Sequence, residues 1–378
     1  MSIDILSLLS QLVAIDSVNP DLVPGGAGEG AIARFIADWA EKAGLETHLE
    51  EAAPGRPNVI AIARGTGGGR SLMLNGHMDT VGVAGMAAPH APRIADGRLY
   101  GRGAYDMKAS LAACMAALAE AKTLNLRGDV IFTAVADEEY ASLGTQSVVR
   151  NWRADAAIVT EPTGLRICGA HKGFVWIDIE TEGVAAHGSR PDLGVDAITR
   201  MGHVLVWLDH LDQSLRASPT HPLLGSGSLH ASLIQGGQEL SSYPARCRVS
   251  VERRTVPGET PELALQQIQA LLERVAVELP DFRASARITL AREAFEISPE
   301  AEITQILAGA ATDVLGAMPE WIGEPFWMDS AILSAAGIPT VIFGPSGTGA
   351  HAVEEWVDLE SVGQCADVLL NTAARYCA

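Results

Sequence analysis

The chain has 378 residues, 48% of them hydrophobic and 19% charged, and a formal net charge of -19. That length suggests two domains, and the composition is that of a globular protein with a sizeable core. The acidity argues against nucleic acid, where binding rests on Lys and Arg neutralising phosphates, and against anionic membranes.

No stretch reaches the roughly 18 apolar residues of a membrane span. Residues 1–16 lack the basic region and small-residue cleavage site of a signal peptide. Five scattered cysteines, Cys114, Cys168, Cys247, Cys365 and Cys377, show no CxxC spacing and read as free thiols of a reducing compartment. A cytoplasmic protein is expected.

In chain order, the first part alternates helix and strand patterns. Helices are expected at 4–14, 29–43, 107–122 and 143–152, and apolar strands at 58–63, 71–74, 129–134 and 156–160. Continuous apolar strands belong to a sheet covered by helices on both faces. The glycine-rich run 65–70 lacks the Lys-Ser/Thr ending of a phosphate loop and reads as a turn.

From about Lys172 the pattern changes. Val175, Ile177 and Ile179 alternate with Trp176, Asp178 and Glu180, as in a half-exposed strand. A helix at 196–216, strands at 228–235 and 245–254, a helix at 261–279 and a strand at 284–290 complete a βαββαβ order, that of a ferredoxin-like unit. The doubly covered pattern then returns, with helices at 300–315, 329–336 and 359–376 and a strand at 340–343. The expected architecture is α/β: a mixed, mainly parallel sheet (residues 1–171 and 292–378) interrupted by an inserted α+β domain (172–291).

Metal-capable side chains follow the apolar strands: His77 and Asp79, then Glu138 and Glu139, then Glu161, and finally His351. Ligand sites of open α/β sheets lie beyond the carboxyl ends of the strands, so these residues can converge. Asp106 lies between a glycine-rich turn and the helix expected from Met107. It reads as an N-cap or as a ligand projecting from that junction. Of the adjacent Glu138 and Glu139, one can bind metal while the other takes a proton from metal-activated water. Asp106, Glu139 and Glu161 with a bridging hydroxide supply four negative charges, enough for two divalent cations. Mixed His and carboxylate ligation suits zinc, cobalt or manganese without choosing among them, and zinc is the expected ion. Asp79 is placed to accept the second N–H of His77.

The segments NGHMDTV, GRGAYDMK, DEE, TEPT and GAHAVEEW, in this order, resemble the co-catalytic metallopeptidase and deacylase family. That family includes acetylornithine deacetylase, succinyl-diaminopimelate desuccinylase, aminoacylase and carboxypeptidase G. The resemblance runs from about residue 10 to the C-terminus. It implies a zinc-peptidase catalytic domain with His77, Asp106 and Glu161 on one metal and Asp106, Glu139 and His351 on the other. It also implies Glu138 as general base, Asp79 as orienting carboxylate and a cis peptide after Asp106. The segment AAHGSRPDLGVDAI resembles the family's lid signature, which implies that His187 serves the active site of a partner subunit in a homodimer formed through the inserted domain. SSYPARCRVSVERRTVPGE resembles a substrate-binding lid segment. Arg254 keeps its arginine, whereas Ser241 stands where asparagine is common. EPFWMDSA resembles a stretch bordering the substrate pocket, with Asp329 as a support residue.

The expected activity is hydrolysis of an N-acyl amino acid by metal-bound hydroxide. The alternatives are a carboxypeptidase or dipeptidase of the same family, and a degenerate relative that only binds. A serine hydrolase is disfavoured, because Gly344–Thr348 has threonine where the last glycine of a GxSxG elbow belongs.

Overall fold

The apolar runs of the sequence become the buried strands of a mixed sheet in the computed structural model, which describes residues 3–279 and 281–378. The chain begins with α1 (Ile5–Val13), α2 (Gly30–Lys42), β1 (Glu46–Ala53), β2 (Arg56–Ala63), β3 (Leu72–His77), β4 (Arg93–Ala95) and β5 (Arg98–Tyr100). It continues through α3 (Lys108–Ala121), β6 (Val130–Val135), α4 (Leu143–Asn151), β7 (Ala156–Val159) and β8 (Ile167–His171). Next come β9 (Gly173–Glu182), α5 (Ala197–Ala217), β10 (Ser228–Gly236), β11 (Arg246–Thr255), α6 (Pro261–Glu278), β12 (Arg283–Arg292) and β13 (Phe295–Glu296). The last stretch holds α7 (Glu302–Leu315), β14 (Trp321–Glu324), α8 (Ser330–Ala335), β15 (Thr340–Ile342), β16 (Gly347–Thr348), β17 (Trp356–Asp358) and α9 (Leu359–Tyr376).

Two compact units result. One runs to Gly169 and resumes over Ile297–Ile322 and Met328–Ala378; the other is Ala170–Glu296 with Gly323–Trp327. The second unit is thus wider than the 172–291 read from the sequence. Two hydrogen bonds bring 323–327 into it: Lys172 N donates to the Glu324 carbonyl (3.2 Å), and Trp327 Nε1 donates to the Glu293 carbonyl (3.1 Å).

In the first unit the strand order is β1-β2-β6-β3-β7-β15. Parallel pairing is confined to β6-β3-β7-β15, while β1 and β2 run antiparallel at the margin. Every residue of β2, β3, β6, β7 and β15 is buried. Helix α3 is buried on every side from Lys108 to Leu118, packed against β3, β6, α1 and α9. An all-round apolar helix of this kind belongs inside a core. The sequence reading missed β1 because ETHLEEAA is polar and only half-covered, paired with β2 alone among the described strands.

Parallel pairing has a consequence for chemistry. The strands β3, β6, β7 and β15 all end on one side of the sheet, so the segments that follow them meet there. A small antiparallel sheet, β16-β17-β5-β4, sets the segment after β5 beside the segment before β17 through the Trp356–Tyr100 pairing.

The second unit is an antiparallel sheet of order β10-β11-β9-β12 with the βαββαβ chain order. Val175, Ile177, Ile179, Val249 and Val251 face a core completed by α5 and α6. Asp196 caps α5 by accepting from Ile198 N and Thr199 N; Thr260 caps α6, which has proline in its first turn.

Phe132 sits fully buried in β6. Phe132→Ala is expected to lower stability by about 3–5 kcal/mol through lost burial and a residual cavity. Urea unfolding checks this, with a lowered midpoint and an unchanged slope as the expected result.

Candidate metal centre

His77, the last residue of β3, is buried. Its Nδ1 lies 2.9 Å from the backbone carbonyl of Asp79, an acceptor only, so Nδ1 carries a hydrogen and Nε2 is the nitrogen whose lone pair is left for a proton or a cation. That lone pair faces Asp106 Oδ1 at 3.1 Å and Glu161 Oε1 at 3.7 Å. Three lone-pair bearers in such contact require a proton or a cation between them.

Asp79 therefore orients His77 differently from the sequence expectation. Its carboxylate is 3.7 Å from Nδ1 and is engaged elsewhere. Oδ1 accepts from Glu138 N (3.1 Å), and Oδ2 accepts from Glu139 N (3.2 Å) and from Asn19 Nδ2 (2.7 Å). The carbonyl of Asp79 fixes the histidine, while its side chain fixes the loop that follows β6.

Asp106 precedes a cis peptide to Met107, and α3 starts only at Lys108, so its carboxylate does not cap the helix. Oδ1 faces His77, and Oδ2 faces His351 Nε2 at 3.5 Å. The other neighbour of His351 Nε2 is Glu139 Oε2, at 3.1 Å. Glu139 Oε1 is buried with no hydrogen-bond partner among the described residues, which leaves its lone pairs available to a cation. Two sets each keep one ligand atom per residue within 4.8 Å of one another: His77, Glu138 and Glu161, and His77, Asp106 and Glu139. The donors fit divalent cations of the zinc, cobalt and manganese type.

Electrostatics points the same way. Burial, then the charges of Asp106 and Glu139, push the Glu161 carboxyl up to about 8 against the opposing pull of His77. Burial and Glu161 push Glu138 well above the carboxylate range. Burial opposes the charged form of His77, yet Glu161 and Asp106 raise it well above the ordinary histidine value. Hydrogen bonds to Asp106 and Glu139 raise His351 to about 10. Asp106 is half-buried, and although desolvation opposes its charge, His351 and His77 hold it well below the usual carboxylate range. A potential that draws protons this strongly draws cations for the same reason.

The family model for Peptidase family M20/M25/M40 matches residues 73–375. The chain belongs to this family. Across 98% of its length and 96% of the relative's, it is 31% identical to acetylornithine deacetylase of Myxococcus xanthus. A further relative, 28% identical over 99% of this chain and 94% of its own, is the N-formyl-4-amino-5-aminomethyl-2-methylpyrimidine deformylase of Halalkalibacterium halodurans. Among solved structures, an aminopeptidase from Bacillus cereus has the same fold, with a TM-score of 0.80 at 19% identity, covering 99% of this chain and 98% of that one. Family membership makes the chain a hydrolase and a metal-binding protein.

Behind this M20 site lies a polar network that the sequence reading did not anticipate. Arg56 pairs with Glu29 through Nε (2.8 Å) and Nη2 (2.7 Å), with Asp137 Oδ1 through Nη2 (2.9 Å), and with Asp21. Asn19 bridges Asp137 Oδ1 (3.0 Å) to Asp79. Asp137, at a φ of 68°, starts the turn that carries Glu138 and Glu139. No local signal marks Asn19, Glu29 or Arg56. Asp329, also buried, accepts from Thr145 Oγ1 (2.6 Å), and its charge pushes Glu138 and Glu161 further upward.

The two remaining expected site residues belong to the second unit. His187 is exposed, its Nδ1 2.8 Å from Ser189 Oγ. Arg254 donates to Glu252 (2.7 Å) and lies over the Phe174 ring.

Arg56→Met leaves Glu29 and Asp137, both fully buried, without their cation. The expected cost is about 3–5 kcal/mol of stability; a loss below about 1 kcal/mol in denaturant unfolding contradicts this account of the network.

Proposed function

We propose that this chain is a two-metal amidohydrolase that removes the acyl group from an N-acyl amino acid. The observation that carries the reading is the position of Glu138. It stands in one cluster with His77 and Glu161, and its backbone N–H is held by the Asp79 carboxylate. The likeness to acetylornithine deacetylase along the whole chain supports an amide as the bond cleaved.

In this reading His77, Asp106 and Glu161 hold one divalent cation and Asp106, Glu139 and His351 the other, with zinc the first choice. Bound cations would supply Lewis-acid polarisation of the scissile carbonyl and acidification of the attacking water. Glu138 takes the proton from that water and passes it to the leaving amine. Burial and the charge of Glu161 raise this carboxyl above the ordinary carboxylate range, which favours its taking the proton. Asp79 acts by position, through its carbonyl on His77 and its carboxylate on the amides of Glu138 and Glu139. Arg254 offers a cation to the carboxylate of the amino-acid substrate, and His187 serves the site of a second copy.

That second copy meets β10. This strand is an edge of its sheet, exposed from His230 to Gly236, with Leu233 72% and Ile234 57% accessible. An apolar edge strand of this length invites antiparallel pairing with its own copy. Five buried, free cysteines fit a reducing, cytoplasmic setting. A peptidase acting on dipeptides would use the same groups. A binding protein without activity fits poorly with a complete set of ligands and base.

A screen of N-acetyl, N-formyl and N-succinyl amino acids alongside dipeptides tests the reading. Acyl-amide turnover is expected to lead, and Glu138→Gln to lower kcat by about 10²–10⁴-fold while metal content stays unchanged. Full activity in that variant contradicts the assigned base. For the assembly, Leu233→Asp with Ile234→Asp is expected to give a monomer in sedimentation velocity. A dimer that survives both substitutions contradicts the β10 interface.

A further inference from the structure

We infer that Glu355 is a positioning residue for the His351 side of the metal centre, and that with Arg102 it clasps together the two loops presenting Asp106 and His351. The inference rests on the two-cation reading proposed above.

Glu355 is buried, and both its oxygens are filled by donors from the Asp106 loop. Oε2 accepts from Arg102 Nη1 (2.7 Å) and Gly103 N (3.0 Å). Oε1 accepts from Tyr105 N (2.9 Å) and from Asp106 N itself (3.0 Å). The clasp also works in return. Arg102 Nη2 donates to the carbonyl of Ala352, the residue after His351, at 2.8 Å, and Gly101 N donates to the carbonyl of Glu355 at 3.2 Å. The β5–β17 pairing just outside anchors both loops to one small sheet.

This geometry calls for a carboxylate in particular. Four donors converge on one side chain, and only an ionised carboxylate has two oxygens that both accept. Glutamine has one acceptor and one donor, so at least one pair of N–H groups would face another N–H, buried from water. Closure of the His351 loop onto Glu355 is equally tight. Gly349 has a φ of +89°, and a Cβ there would meet the Glu354 carbonyl at 2.0 Å.

Of the proposed ligands, Asp106 and His351 are the two whose loops the clasp joins, and their facing atoms lie 3.5 Å apart. The cation held by Asp106, Glu139 and His351 draws two of its three ligands from these loops, whereas the other cation draws one. A loosened clasp therefore acts unequally on the two. A side chain that only stapled the fold together would affect both alike.

The test is calorimetric titration of the metal-stripped full chain with Co2+, for wild type, Glu355→Gln and Arg102→Lys, each checked for cooperative thermal unfolding. Wild type is expected to bind two equivalents. In Glu355→Gln one equivalent is expected to weaken by about 10–100-fold, the usual effect of removing a partner that holds a metal ligand, with the other within about threefold. Arg102→Lys, which keeps the charge but loses the second link to Ala352, is expected to weaken the same equivalent by less. Unchanged affinities in folded Glu355→Gln, or equal weakening of both equivalents, overturn the inference. So does a folded Arg102→Lys that binds both as wild type does. A wild-type chain that takes up fewer than two equivalents overturns the two-cation reading instead.

Discussion

Four carboxyl groups, those of Asp106, Glu138, Glu139 and Glu161, crowd around the imidazole of His77 at the end of β3. Like charges held this close in a buried place repel, and burial adds a desolvation cost that water cannot relieve. Burial first, and the neighbouring charges after it, raise two of these groups, Glu161 to about 8 and Glu138 well above the usual value. A cluster so costly persists only where something else gains from it. Divalent cations are the counter-charge that this donor set fits.

The rest of the first unit holds that cluster in place. Parallel pairing of β6, β3, β7 and β15 brings four loops to one edge. The buried helix α3 follows directly on Asp106. Asp79 gives up its carboxylate to the amides of Glu138 and Glu139, and Arg56 neutralises the carboxylates one layer further out. Each step outward replaces repulsion with hydrogen bonds that water cannot compete for.

Most of the ligand candidates could be read in the sequence because they follow apolar runs whose type is unambiguous, whereas Asp106 stands out by its glycine-rich turn. His77 follows SLMLNG, Glu138 and Glu139 follow VIFTAVAD, and Glu161 follows AAIVT. The α/β class could be read for the same reason, and the family from the order of the segments NGHMDTV, GRGAYDMK, DEE, TEPT and GAHAVEEW. The supporting shell could not. Asn19 meets Asp79 across 60 positions, Arg56 meets Asp137 across 81, and Arg102 meets Glu355 across 253. No local period or motif encodes such pairs. Asp79 was legible only in part: its spacing announced a partner for His77, but not that the carbonyl would serve and leave the carboxylate free for the next loop. The strand β1 escaped because its polar residues reflect a half-covered margin. The width of the second unit depends on segment 323–327, which only tertiary hydrogen bonds assign.

The central claim is that the buried carboxylates serve metal-assisted amide hydrolysis, so the most direct measurement is activity as a function of bound metal. The chain is stripped by chelation, and N-acyl amino acid hydrolysis is followed as zinc is returned. The account predicts negligible turnover in the stripped protein and recovery that saturates at two equivalents per chain. Full hydrolysis by the metal-free chain, or saturation at one equivalent, would contradict it.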